Sequence, residues 1–157
     1  MEREKCCCFT GHREIAEEEI PHICAELDRM ILELAEKGIT VFHCGGAEGF
    51  DTLAAEAVLR VRENNPLIRL YLALPYPKQR KKETEASIRY ETIKAQADEV
   101  VFVSPQYMRG CMQKRNRYMV EQSSVCVAYL LEGKETGGTK YTVEYAQKKG
   151  IEIYYIK

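Results

Sequence analysis

The sequence lacks the features that would assign the protein to a membrane or secreted class. No apolar run reaches the roughly 20 residues that a membrane-spanning helix needs, and the N-terminal MEREK segment lacks the apolar core of a signal peptide. We therefore expect a cytoplasmic protein with no membrane partner. Positive and negative side chains nearly balance, and the formal net charge of −1 at pH 7 disfavours nucleic acid as a partner.

Paired cysteines are also missing. None of the seven cysteines forms a CxxC pair, so we expect neither a disulfide framework nor a zinc site. The tandem cysteines at residues 6–8 lie in an apolar stretch, where free cysteine packs as a small hydrophobic residue. His12, His43 and Cys44 form the one grouping that could meet at neighbouring strand ends to hold a metal, and we favour the core interpretation. We predict no metal and no cofactor.

Strand and helix patterns alternate along all 157 residues, which we assign to a single domain, residues 1–157. Apolar and β-branched runs predict strands at residues 6–10, 39–44, 67–74, 99–103, 125–131 and 151–156. Helical periodicity lies between them, and its first segment runs from Ile15 to Leu34. The alternation predicts an α/β protein with a three-layer α/β/α Rossmann-like fold and a mostly parallel sheet.

The segment GGAEGFD, residues 45–51, is a glycine-rich turn between a predicted strand and a predicted helix. Gly45, Gly46 and Gly49 allow close backbone approach, and a helix N-terminus carries partial positive charge, so a phosphate group suits this turn. We expect a β-branched residue at Gly46 to block the anion with at most a modest loss of stability. Asp51 would repel an anion and instead accept a hydrogen bond from a ribose or a base. A purely steric role for the glycines is the alternative.

Right-handed crossovers place every strand-to-helix loop at the carboxyl edge of a parallel sheet, where ligands bind. Arg13 in the first loop is a candidate phosphate clamp. The residues that we expect to contact a ligand at this edge are Thr10, Gly11, His12, Arg13, Gly45, Gly46, Gly49, Asp51, Pro75, Asn116, Gly137, Gly138, Thr139 and Thr142.

Five segments spread over nearly the whole chain carry a family resemblance. They are FTGHR, GGAEGFD, LALP, RNRYMV and GGTKYTVEYA. Together they resemble the YspA/YoqJ-like branch of the SLOG superfamily, whose Rossmann-like domains are related to DprA and to the LOG phosphoribohydrolases. The resemblance implies that the domain binds a nucleotide or a nucleotide-derived ligand.

Two positions resemble catalytic residues of the LOG enzymes. The segment MQKRN resembles the LOG motif MHxRK and places Arg115 on its catalytic arginine. The segment TGGTKYTVE resembles PGGxGTxxE and places Glu144 on its catalytic glutamate. Thr136, Lys140 and Tyr141 depart from that second motif, which implies a rearranged phosphate site. By the residues alone, Glu144 and Arg115 are ordinary positions on helix surfaces.

Three functions follow from these observations. The favoured one is a non-catalytic sensor that binds a nucleotide-derived small molecule and signals to a protein partner, with a homodimer as a further assembly. The alternative is a LOG-like phosphoribohydrolase in which Glu144 stabilises an oxocarbenium-like transition state and Arg115 holds the phosphate or the base. A weaker alternative is DprA-like DNA binding through the basic run at residues 78–82.

Overall fold

The computed structural model describes residues 2–78, 83–133 and 137–157. Within them six strands alternate with five α-helices, as predicted, and two 3₁₀ turns span Arg3–Lys5 and Glu17–Glu19. In chain order the elements are β1 (Cys6–Gly11), α1 (Ile20–Glu36), β2 (Val41–Cys44), α2 (Phe50–Arg62), β3 (Arg69–Leu74), α3 (Glu85–Gln96), β4 (Glu99–Phe102), α4 (Cys111–Glu121), β5 (Val125–Tyr129), α5 (Gly138–Lys148) and β6 (Glu152–Tyr155).

All six strands are parallel and form one sheet in the order β4-β3-β2-β1-β5-β6. The register of the central strands pairs Cys8 with His43 on one side and with Cys126 on the other. Because every strand points the same way, the loops at Gly11, Gly45 and Gly137 lie at one edge of the sheet. This confirms the predicted fold class, with a sheet that is wholly parallel.

Helices cover both faces of the sheet, since alternate side chains of a fully buried strand point to opposite faces. On one face α1 and α2 pack on Phe9 and Phe42, whose ring centroids are 6.0 Å apart. On the other face Met119 of α4 and Val143 of α5 pack on Cys8 and the centre of β5. Across residues 2–78, 83–133 and 137–157, no helix is both long and apolar enough to cross a membrane.

The first helix begins later than its periodicity predicted. α1 starts at Ile20, not near Ile15, and Pro21 lies in its first turn. Proline fits the first turn because the N–H groups there have no intrahelical partner, but within a helix it removes a hydrogen bond. Ile15 still packs against the core from the preceding loop, and this contact explains why it matched the helical pattern.

The tandem cysteines at residues 6–8 and Cys44 lie in the core as predicted, whereas Cys24 is only half-buried. Burial raises the pKa of the Cys7 and Cys44 thiols well above the ordinary value. Cys44 packs into the α1–α2 side of the core, so its neighbour His43 points to the other side of β2. The described residues contain no group of three His, Cys, Asp or Glu side chains that could hold a metal ion.

Candidate functional site

The strand order places β1 at the point where the connections reverse direction. The chain runs outward from β1 through β2, β3 and β4, and β5 then returns to the opposite side of β1. Such a reversal opens a crevice at the carboxyl ends of the two central strands. A cavity of about 370 Å³ lies there, which falls within the roughly 300–1,000 Å³ typical of small-molecule sites.

This cavity, the switch cavity, brings together most of the predicted ligand residues. They come from the end of β1, the start of α2, the middle of α4 and the start of α5. The predicted residues that line it are Thr10, Gly11, His12, Arg13, Asp51, Asn116, Gly137, Gly138 and Thr139, together with Arg115.

A second cavity of about 150 Å³, the loop cavity, adjoins the first. Three further predicted residues, Gly45, Gly46 and Pro75, line it with Tyr76, Lys78 and Tyr90 among others. The two cavities have four lining residues in common, Arg13, Ala47, Met112 and Arg115. The predicted edge therefore contains two neighbouring spaces separated by a wall of side chains.

The N-terminus of α2, which we expected to hold a phosphate, contacts the first loop, although Asp51 in its first turn lines the switch cavity. The N–H of Phe50 donates to the carbonyl of His12 at 3.0 Å, and Gly49 packs so closely on the Arg13 carbonyl that a Cβ would overlap it. The first loop thus occupies this helix end. Gly49 instead lines a shallow pocket beside Ile15 and Ile20.

The N-terminus of α5 does open on the switch cavity. Gly137 is its N-cap and provides no side chain to accept from the first N–H groups of the helix. Gly137, Gly138 and Thr139 all line the cavity, so backbone N–H groups and the helix dipole are available to an anion there. Thr142 is buried and its hydroxyl donates to the Gly138 carbonyl at 2.7 Å, so it supports the helix, not a ligand.

Arg115 is a buried side chain with protein partners. It is 4% exposed, and its Nη1 donates to the carbonyl of Gly45 and, at 3.4 Å, to that of Ala73. Its Nε donates to Asn116 Oδ1 at 2.8 Å. Burial lowers the pKa of Arg115, and the negative charge of Asp51 opposes that shift. These contacts tie α4 to the ends of β2 and β3.

Asp51 lies beside Arg115 under the glycine turn. A Cβ on Gly45 would be 2.8 Å from Asp51 Oδ2 and 2.9 Å from Arg115 Cζ, so both charged groups reach the space that glycine leaves. Asp51 Oδ2 accepts from the N–H of Ala47 at 3.2 Å. Burial raises the pKa of Asp51, and the Arg115 charge acts in the opposite direction. The carboxylate therefore orders the turn from within and also lines the switch cavity.

His12 connects the loops that follow β1 and β5. Its Nε2 accepts from the N–H of Leu131 at 2.9 Å, and its ring meets Tyr129 edge to face at 5.9 Å between centroids. Since Nε2 accepts here, a proton on the neutral ring lies on Nδ1. His12 thus positions the mouth of the switch cavity as well as lining it.

The structure does not bring Glu144 together with Arg115. Glu144 is exposed on α5. The described residues that line the switch and loop cavities do not include it. Arg115 lines both cavities from its buried position. Of the predicted basic run, residues 79–82 lie outside the described residues, as does Thr136, whereas Lys78 lines the loop cavity.

Sequence reasoning missed several lining residues, among them Met112, Gln113 and Tyr90. Without the family resemblance, it also placed Arg115 on a helix surface, although the sequence held a signal to the contrary. Cys111, Arg115 and Met119 follow one another at intervals of four, which places them on one helix face, and all three are buried.

The strand order and the single loop edge define a Rossmann-like α/β domain. The chain belongs to the YspA SLOG family, whose model matches residues 7–157. It is 31% identical over 133 residues to a UPF0398 protein of Halalkalibacterium halodurans, covering 83% of this chain and 70% of the relative. A UPF0398 protein of Bacillus cereus is 32% identical over 133 residues, covering 82% and 72%.

A solved structure of DNA processing protein A from Helicobacter pylori has a similar fold, with a TM-score of 0.67 over 96% of this chain. That structure concerns the single-stranded DNA binding mode of the Helicobacter protein. The sequences are 22% identical and this chain spans 64% of the other, so the likeness shows the fold alone.

Proposed function

We propose that the protein binds a nucleotide or a nucleotide-derived small molecule in the switch cavity and acts as a sensor, not as an enzyme. The observation that carries the proposal is the N-terminus of α5, whose N-cap Gly137 has no side chain and which opens on a cavity of about 370 Å³ at the sheet reversal. An anionic group held there would accept hydrogen bonds from backbone N–H groups and be stabilised by the positive end of the helix dipole.

Two side chains of the same cavity complement an anion. Arg13 is exposed and brings a guanidinium whose planar fork suits a phosphate. Asn116 Oδ1 is held by Arg115 Nε, which leaves its Nδ2 to donate, and this atom lies 4.0 Å from the Cβ position of Gly138. Arg115 therefore supports the site by orienting Asn116.

The remaining polar group of the cavity suits a sugar or a base. Asp51 lines the switch cavity as a hydrogen-bond acceptor. A ribose hydroxyl or a base N–H is the kind of donor that such a carboxylate accepts. The half-buried Met112 adds apolar surface for the flat part of the ligand.

The position of Glu144 favours sensing over hydrolysis. Cleavage of an N-glycosidic bond needs negative charge and a directed water beside the sugar. Glu144 is exposed and contributes to neither described cavity, while Arg115 is engaged with backbone carbonyls. These positions therefore support a non-catalytic binding module more strongly than a phosphoribohydrolase.

Thermal denaturation with a panel of nucleotides and nucleotide sugars tests the proposal. A ligand at 100 times its Kd adds about 2.7 kcal/mol, which raises the Tm of a domain of this size by about 5–10 °C. Gly138→Val and Arg13→Ala should remove that shift, because the first blocks the helix end and the second removes the cation. Among the described residues, a Cβ at Gly138 meets Asn116 Nδ2 alone, at 4.0 Å, so this variant should fold normally.

Glu144→Gln is the matched control, since it changes a charge on the same helix outside the cavity. Its Tm shift with ligand should equal that of the wild type. If the wild type shows no shift with any member of the panel, or if Gly138→Val and Arg13→Ala respond like the wild type, the switch cavity is not the site.

A further inference from the structure

A third cavity, of about 400 Å³, lies at the N-terminus of α4. It is formed by the loop after β4, the first two turns of α4 and the start of α5. Gln113 lines both this cavity and the switch cavity, so the two are neighbours on the same sheet edge. We refer to the space lined by Ser104, Arg109, Lys114 and Arg117 as the α4 cavity.

The lining of the α4 cavity is strongly basic. Arg109, Lys114 and Arg117 contribute three cations, and among the described residues no carboxylate lines the cavity. Arg117 Nη1 donates to the hydroxyl of Tyr141 at 2.8 Å, which fixes the guanidinium at the wall. Three cations around one space repel one another, and an anion between them relieves that repulsion.

Ser104 provides an independent sign of a ligand. The residue is 1% exposed and lines the α4 cavity, and within the described part of the chain its Oγ has no hydrogen-bond partner. A buried hydroxyl normally has a partner, because leaving it unpaired costs about 1–3 kcal/mol. Its backbone N–H donates to the Pro75 carbonyl at 3.0 Å, which fixes the backbone at this position.

The helix end faces the same space. Gly110 is the N-cap of α4, in the left-handed conformation with φ 81°, and it has no side chain to cap the helix. Gly110 therefore provides no side-chain acceptor for the N–H groups of Met112 and Gln113 in the first turn. α4 has 11 residues, so its dipole adds positive potential at this end.

We propose that the α4 cavity is a second binding site, for a phosphate group. Ser104 Oγ donates to the phosphate, the first-turn N–H groups of α4 bind it, and Arg109, Lys114 and Arg117 neutralise its charge. The phosphate comes from one of two sources: a distal phosphate of the ligand in the switch cavity, reached past Gln113, or a free phosphate ion.

NMR titration of the ¹⁵N-labelled protein with inorganic phosphate, at constant ionic strength against chloride, tests the site. We expect the amide signals of Met112 and Gln113 to shift and saturate. Ser104→Ala and Lys114→Ala should each weaken binding by about tenfold, the effect of losing one hydrogen bond or charge at an anion. Lys148→Ala, which removes an exposed cation elsewhere on α5, should titrate like the wild type.

Ser104→Ala also gives a stability test that needs no ligand. Because Ser104 Oγ has no protein partner among the described residues, its removal should leave the Tm of the free protein unchanged or raised. Absence of phosphate-induced shifts at Met112 and Gln113, or wild-type phosphate affinity in Ser104→Ala, would overturn the proposal. A fall in the Tm of free Ser104→Ala would show that the hydroxyl already has a partner and would also count against it.

Two nucleotides separate the sources. If the phosphate belongs to the switch-cavity ligand, Ser104→Ala should lower the affinity for adenosine 3′,5′-bisphosphate and leave the affinity for adenosine 5′-monophosphate unchanged. If the phosphate is a free ion, Ser104→Ala should lower the affinity for inorganic phosphate and leave the affinity for both nucleotides unchanged. Should no nucleotide bind while inorganic phosphate still shifts Met112 and Gln113, the proposed nucleotide function fails and the phosphate site stands.

Discussion

Replacing Arg115 with methionine should destabilise the protein by about 3–5 kcal/mol at pH 7, the cost of leaving a buried charge without its partner. The side chain is 4% exposed, and it supports the carbonyls of Gly45 and Ala73 as well as facing Asp51. Methionine keeps most of the volume and removes the charge and the donors. The expected fall in Tm is about 6–20 °C for a domain of this size.

The pH dependence of that loss identifies its cause. Burial already raises the pKa of Asp51, and without Arg115 the pKa should rise further. A carboxyl group whose pKa is raised on folding destabilises the protein above that pKa, and the penalty falls as the pH drops through it and the group takes up a proton. The free-energy cost of Arg115→Met should therefore be largest near pH 7 and smaller at acidic pH.

Urea denaturation followed by circular dichroism measures these free energies. Adding Asp51→Asn to Arg115→Met should recover part of the loss, with a coupling energy of about 0.5–3 kcal/mol. Arg117→Met is the control on the same helix, because this half-buried arginine donates to a tyrosine hydroxyl at the surface and its replacement should cost about 0–1 kcal/mol. A cost for Arg115→Met below that of the control, or strict additivity with Asp51→Asn, would refute the reasoning.

Three further predictions concern single residues. Burial lowers the pKa of His43 to about 4, so its contribution to stability is complete above pH 6.5 and is lost as the pH falls towards 4, by about 2 kcal/mol at pH 5. His43→Leu should remove this dependence in urea titrations at pH 5 and pH 7. Gly46→Val should lower stability by about 2 kcal/mol or more in thermal denaturation, because Gly46 has φ 75° and a Cβ would lie 2.5 Å from Leu74 Cδ2. Glu144→Gln should leave nucleotide affinity, measured by calorimetry, within about twofold of the wild type, because the residue lies outside the switch cavity.

The surroundings of Gly46 change how the glycine turn is interpreted. We expected a substitution there to block an anion and leave the fold nearly intact, but Leu74 and the positive φ make it a structural substitution. Gly11 is similar, since a Cβ at that position would overlap the ring of Phe50. Sequence alone identifies that glycine is needed at such positions. It does not distinguish packing of a neighbouring side chain from approach of a ligand, because both need the same missing Cβ.

The fold could be predicted from local patterns, whereas the roles of charged residues depended on the packing of distant segments. Strand and helix alternation determined the parallel sheet and the loop edge, and with them most residues of the switch cavity. The burial of Arg115 depends on carbonyls 70 and 42 residues earlier in the chain. The buried Oγ of Ser104 likewise depends on how the loop after β4 meets α4 and α5. The four-residue spacing of Cys111, Arg115 and Met119 indicates that Arg115 is buried, but it does not identify the distant carbonyls that the side chain contacts.

The wall between the switch and loop cavities also bears on how ligands should be sought. Arg115 is buried in that wall, but Arg13 is exposed and lines both spaces from a loop. Rotation of the exposed Arg13 side chain, which needs no backbone movement, would change the shape of both spaces. A search for ligands should therefore sample the rotamers of Arg13, so that compounds long enough to reach both spaces are also tested.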